Sequence, residues 1–114
     1  MKRTLLGIIA LAYAATSLAS SSNGPIFPSF VTANSNGVTF AWFQGTRTGT
    51  VPSCAVDHGG FFVYAFDSTT GGGKSMLSIL LAANAGGHSV WVMGDGTCSA
   101  DSASETLTQV ESNP

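Results

Sequence analysis

Apolar and polar residues alternate most cleanly between Val38 and Phe43, with Val38, Phe40 and Trp42 on one face and Thr39, Ala41 and Phe43 on the other. A period of two residues is that of a strand. Upstream, Phe30 and Val31 sit in a short strand candidate that ends in Ala33-Asn34-Ser35-Asn36-Gly37, where Asn36-Gly37 supplies the positive φ angles of a tight hairpin. Downstream, Phe61–Phe66 is a third strand so aromatic that both of its faces must be covered or one must bind something. The run Gly71-Gly72-Gly73 is expected to break the chain, and after it the period changes. From Lys74 to Ala85 the residues Met76, Leu77, Ile79, Leu80, Leu81 and Ala83 cover a wide arc of a helical wheel, the pattern of a helix laid on a sheet. Gly86-Gly87 then predicts a left-handed cap, Val90–Met93 a fourth strand before the turn Gly94-Asp95-Gly96, and Glu105–Val110 a fifth strand with Leu107 and Val110 pointing inward.

The elements predict a mostly β fold with one helix in the order β-β-β-α-β-β. That order is the one found in the five-stranded oligonucleotide/oligosaccharide-binding (OB) barrel. The alternative is an open-sheet α+β two-layer domain with the same elements, because closure depends on strand tilt and stagger. Ahead of this pattern, residues 1–19 read as a secretory signal peptide: Lys2 and Arg3, an apolar stretch from Leu5 to Ala15, and the small-x-small site Ser17-Leu18-Ala19. An apolar run of roughly a dozen residues is short of the ~20 that a membrane-spanning helix needs, and no second run follows, so no stable membrane span is expected after cleavage. Residues 20–28, rich in Ser, Asn, Gly and Pro without an apolar period, are expected as a flexible lead, and residues 29–114 as a single β-rich OB-like domain. The expected location is secreted or periplasmic.

Charge narrows the range of partners. Cleavage would remove Lys2 and Arg3, leaving Arg47 and Lys74 against the six carboxylates Asp57, Asp67, Asp95, Asp101, Glu105 and Glu111. Nucleic acid or an anionic membrane surface would need a basic footprint, so neither is expected as a partner. Cys54 and Cys98 would meet an oxidising compartment and are expected to form one disulfide. Its loop of 44 residues would contribute at most about 4 kcal/mol on chain-entropy grounds.

The motifs that invite a catalytic reading do not complete one. Gly71-Gly72-Gly73-Lys74-Ser75 resembles the end of a phosphate-binding loop, but the glycine that pattern needs five positions before Gly73 is Ser68. Asp57 and His58 are adjacent, so the carboxylate is poorly placed to reach the far ring nitrogen, and Gly-x-Ser-x-Gly is absent. Neither the pair His58 and His88 nor the fragment Asp95-Gly96 carries a metal-ligand pattern. No enzyme activity, cofactor or metal is expected. The aromatic residues are the more informative set, since small barrels recognise neutral polar ligands with an aromatic face ringed by hydrogen-bonding loops. Trp42, Phe43 and Tyr64 are the candidate ligand-binding residues.

From Cys54 onward a recurring layout can be read: Cys54-Ala55-Val56, the aromatic strand Phe61–Phe66, Gly73-Lys74-Ser75-Met76, Leu80-Leu81-Ala82-Ala83, Gly86-Gly87, Val90-Trp91-Val92, Gly94-Asp95-Gly96-Thr97-Cys98 and Glu105. This layout resembles small exported bacterial proteins and the B subunits of subtilase-type and pertussis-like AB5 toxins. The resemblance covers roughly half of the chain, mainly residues 54–110, and gives no residue-by-residue match for Phe30–Thr50. It implies an OB-fold subunit, a homo-oligomeric ring of five and binding of cell-surface glycans. The function expected on these grounds is a non-catalytic binding module for a glycan or protein ligand. The alternative is an envelope interaction or inhibitor protein.

Overall fold

The computed structural model of the protein describes residues 20–113, so the expected signal peptide, residues 1–19, lies outside the described residues, as does Pro114. The chain forms β1 (Ser21–Ile26), β2 (Pro28–Ala33), β3 (Val38–Gln44), β4 (Thr48–Gly49), β5 (Phe61–Asp67), α1 (Gly71–Gly86), β6 (Ser89–Gly94) and β7 (Glu105–Asn113). The strands make one seven-stranded mixed sheet in the order β2-β3-β5-β7-β6-β1-β4, in which only β5 and β7 pair in parallel. β1 and β2 are separated by Phe27 alone, yet β2 pairs with β3 at one end of the order and β1 with β6 and β4 at the other.

The mostly β fold with one helix is as expected, with two corrections. Among the described residues seven strands form where five were expected, and residues 20–28 are not a flexible lead: Ser21–Ile26 are β1, ahead of the domain start expected at residue 29. The strand lacks an apolar period because its inward positions are polar. Ser21 and Asn23 are buried and hydrogen-bonded to Tyr64, and Ser21 also to Glu105.

The alternation in β3 resolves with Thr39, Ala41 and Phe43 fully buried and Val38, Phe40 and Trp42 half-buried on the outer face. In β5, Phe62 through Phe66 are all buried. Phe43, Phe62, Tyr64, Phe66, Val90, Val92, Leu107 and Val110 form the core together with Ala41 and, from the helix, Leu80 and Ala83. The three glycines do not break the chain but make the first turn of α1. Thr70 Oγ1 caps the helix by accepting from Gly73 N at 2.9 Å. Gly73 lies so close to the Asp67 carbonyl that a Cβ would overlap it. Gly87, with φ 67°, provides the left-handed cap. Among the described residues no helix is long and apolar enough to cross a membrane.

Candidate functional site: an aromatic platform beside a polar core

Two constellations stand out, one inside the sheet and one outside. The interior one centres on Glu105, which is fully buried at the start of β7. Its Oε1 accepts from Ser21 Oγ at 2.7 Å and from Arg47 NH1 at 3.4 Å. Its Oε2 accepts from Ser21 N at 3.3 Å and Gly96 N at 3.1 Å. Ser21 Oγ carries one hydrogen and spends it on Glu105, so the 2.5 Å contact with Tyr64 must be donated by the phenol. Asn23 Nδ2 in turn donates to the Tyr64 oxygen at 3.2 Å. The result is a directional chain from Asn23 through Tyr64 and Ser21 to a carboxylate. Burial pushes the Tyr64 phenol above its usual 10.0, and Glu105 adds to this against the hydrogen bonds with Ser21 and Asn23 and the charge of Arg47.

Arg47 crosses the same interior with a side chain that is 1% exposed. Its guanidinium lies 5.3 Å from the Tyr64 ring centroid and 5.9 Å from that of Phe62, and it reaches Asp57 Oδ1 at 3.2 Å. Room for the Glu105 carboxylate exists because residue 94 of β6 is glycine; a Cβ there would overlap the carboxylate. These groups are structural partners of one another, and little in the chain's local pattern marks them out. Arg47 and Glu105 are isolated in the chain, and the topology brings them together.

The outer constellation is a cluster of rings on β2, β3 and β5. Phe30 lies 5.5 Å from Trp42 and 5.2 Å from Phe61, and the His58 ring lies 5.5 Å from Trp42 at a tilt of 45°. The indole is fixed by its Nε1, which donates to Thr32 Oγ1 at 3.0 Å. His58 is held by reciprocal backbone hydrogen bonds with Phe61, at 2.9 and 3.0 Å. Beside the rings lies a recess of about 320 Å³ lined by Thr32, Asn34, Phe40, Trp42, His58, Val63, Asp101, Ala103 and Ser104. Asp101 Oδ2 accepts from Ala103 N at 3.1 Å, which fixes the carboxylate in the turn.

Cys54 and Cys98 form the expected disulfide. It joins the segment carrying Val56 and His58 to the one carrying residues 99–104, and Val56 N donates across to Ala103 O at 2.9 Å. The covalent link therefore braces one wall of the recess against the loop that holds the platform histidine.

Of the residues the sequence singled out for ligand contact, Trp42 is on the platform, whereas Phe43 and Tyr64 are 0% exposed in the core. The reason is register: Phe43 and Tyr64 share the inward face with Ala41 and Phe62, while Trp42 and Phe61 point the other way. Sequence reasoning missed Phe30, His58 and Asp101 as neighbours of Trp42. The alternation of β3 already placed Trp42 and Phe43 on opposite faces. The remaining motif residues also have places: Asp57 pairs with Arg47, His58 packs on Trp42, and Cys54 is oxidised. Among the described residues no group of three or more His, Cys, Asp or Glu could hold a metal ion. Comparison of the chain with protein-family models, with curated proteins and with solved structures finds no match.

Proposed function

We propose that this protein is a secreted or periplasmic, non-catalytic binding module built on an OB-type barrel, and that it recognises glycans through the Phe30–Trp42–Phe61–His58 platform and its recess. The strand order supports the barrel, because β1 and β2 serve as one bent strand that reaches both ends of the sheet. The disulfide supports an oxidising compartment. The observation that carries the functional reading is the outer ring cluster itself. Neighbouring rings in it lie 5.2 to 6.5 Å apart, and Phe30 is 42% exposed. A pyranose has one face of C–H bonds that stacks on such rings, while its hydroxyls need the uncharged hydrogen-bonding groups that Thr32 and Asn34 supply in the recess.

The test is a glycan array probed with oxidised protein starting at Ser20, with Trp42→Ala as control. Trp42 is on the outer face, so its truncation leaves the core intact, and the expected result is binding that the variant loses. An array without a hit would overturn the glycan reading.

A second observation favours self-association, as in a homo-oligomeric ring. Trp91 and Met93, 45% and 40% exposed, border a groove of about 150 Å³ with Ser22, Gln109 and Glu111 on the outer face of β6 and its neighbours. Light scattering after size exclusion should then give a mass above the monomer, with a Trp91→Ser variant returning towards it. A monomer at all concentrations would exclude this reading.

A further inference from the structure

We infer that the recess beside Trp42 selects uncharged sugars and rejects those carrying a carboxylate; the inference rests on the glycan reading of that site and deepens it. Apart from His58, which lines the recess, the ionisable side chains near it are acidic or already committed. Asp101 is the one acidic residue that lines it, and one of its oxygens, Oδ2, accepts from Ala103 N. Its Oδ1 takes no hydrogen bond among the described residues and has capacity for a sugar hydroxyl. The described residues contain two side-chain cations of fixed charge, Arg47 and Lys74. Arg47 is 1% exposed at its side chain and bound to both Glu105 and Asp57, so it cannot turn to a ligand without leaving a buried carboxylate unpaired. Lys74 is on α1 and is not part of the recess wall.

An acidic sugar seated on the platform would therefore bring its carboxylate towards Asp101 with no lysine or arginine to receive it. It would exchange the strong hydration of that carboxylate for like-charge repulsion. A neutral ring meets no such opposition. It offers C–H bonds to Trp42 and Phe61, and hydroxyls to Asp101, to the Thr32 hydroxyl that already accepts from the indole, and to Asn34. The acidic residue thus acts in two ways, as a hydrogen-bond acceptor for hydroxyls and as a barrier to anions.

The experiment uses pairs of sugars that differ only in the charged group: methyl β-glucoside and its uronate, and methyl β-galactoside and its uronate. Affinities are measured by ligand-observed NMR on oxidised protein at low salt. Lactose, cellobiose and maltose are included to establish binding by neutral sugars, and Trp42→Ala to locate it. At least one neutral sugar should bind in a Trp42-dependent way, and its uronate should bind about five- to tenfold more weakly. Asp101→Asn should narrow the ratio between the members of that pair severalfold, as should raising the salt concentration. A uronate that binds as well as its neutral partner, or a ratio that Asp101→Asn leaves unchanged, would overturn the inference while leaving the glycan reading standing. If no neutral sugar binds, or if binding survives in Trp42→Ala, the reading of the platform itself fails. Circular dichroism of both variants separates loss of binding from loss of fold.

Discussion

Glu105 shows how many interior contacts a single buried side chain can gather. It accepts from four donors, two on Ser21, one on Gly96 and one on Arg47, and it is fully buried. Glu105→Ala would leave Arg47 and Ser21 without their buried acceptor and should cost about 3–5 kcal/mol in urea-induced unfolding. The same network gives Tyr64 a measurable signature. The chain has two tyrosines, and the other, Tyr13, lies in the expected signal peptide. In protein starting at Ser20 the phenolate absorbance therefore reports Tyr64 alone. Its ionisation should occur above the usual 10.0 in the folded state and return to that value in denaturant. Because the folded phenol is the weaker acid, its contribution to stability is complete below pH 10 and is lost as pH rises from there through the higher folded value. Asp67 has the opposite sign. The hydroxyl and amide of Thr69 both donate to its Oδ1 and hold the carboxyl below its usual 3.8. The stabilisation is present above that pH and lost as pH falls through the lower folded value, so Asp67→Asn should flatten the acid limb of a thermal-melting profile.

At the scale of elements, α1 begins three residues before its apolar arc because Thr70 caps it and Gly73 fits against Asp67. Thr70→Ala should lower stability by about 1 kcal/mol, read from chemical denaturation. β3, β5 and β6 were legible in the sequence because their residues alternate or are uniformly apolar, which is the signal that burial on one or two faces leaves behind. β1 was illegible for the converse reason: its buried positions are Ser21 and Asn23, which satisfy hydrogen bonds rather than hide apolar surface. β4 is two residues long and carries no period at all. The candidate site was half legible. Trp42 could be found from the alternation in β3, but Phe30 and His58 join it through strand pairing and a loop, and Asp101 through the strapped turn, so their proximity depends on long-range topology.

For the whole molecule, the fold depends on contacts between segments far apart in sequence. Ser21 meets Glu105 across a separation of 84 residues, and Arg47 meets Glu105 across 58. Deleting residues 20–26 should therefore abolish cooperative unfolding rather than trim a disordered end, a result that calorimetry would show directly. Replacing both Cys54 and Cys98 by Ser should lower the melting temperature by roughly 10–20 °C, since closing a loop of 44 residues constrains the unfolded chain. The bond also has a consequence for where the platform can work. The disulfide ties the loop that carries His58 to the turn that carries Asp101, and both residues line the recess beside Trp42. Under reducing conditions the covalent tie would be lost, leaving the backbone hydrogen bond from Val56 N to Ala103 O to hold the two segments together. On the glycan reading proposed above, the bridge would act as a passport: recognition would be confined to spaces whose chemistry keeps thiols oxidised.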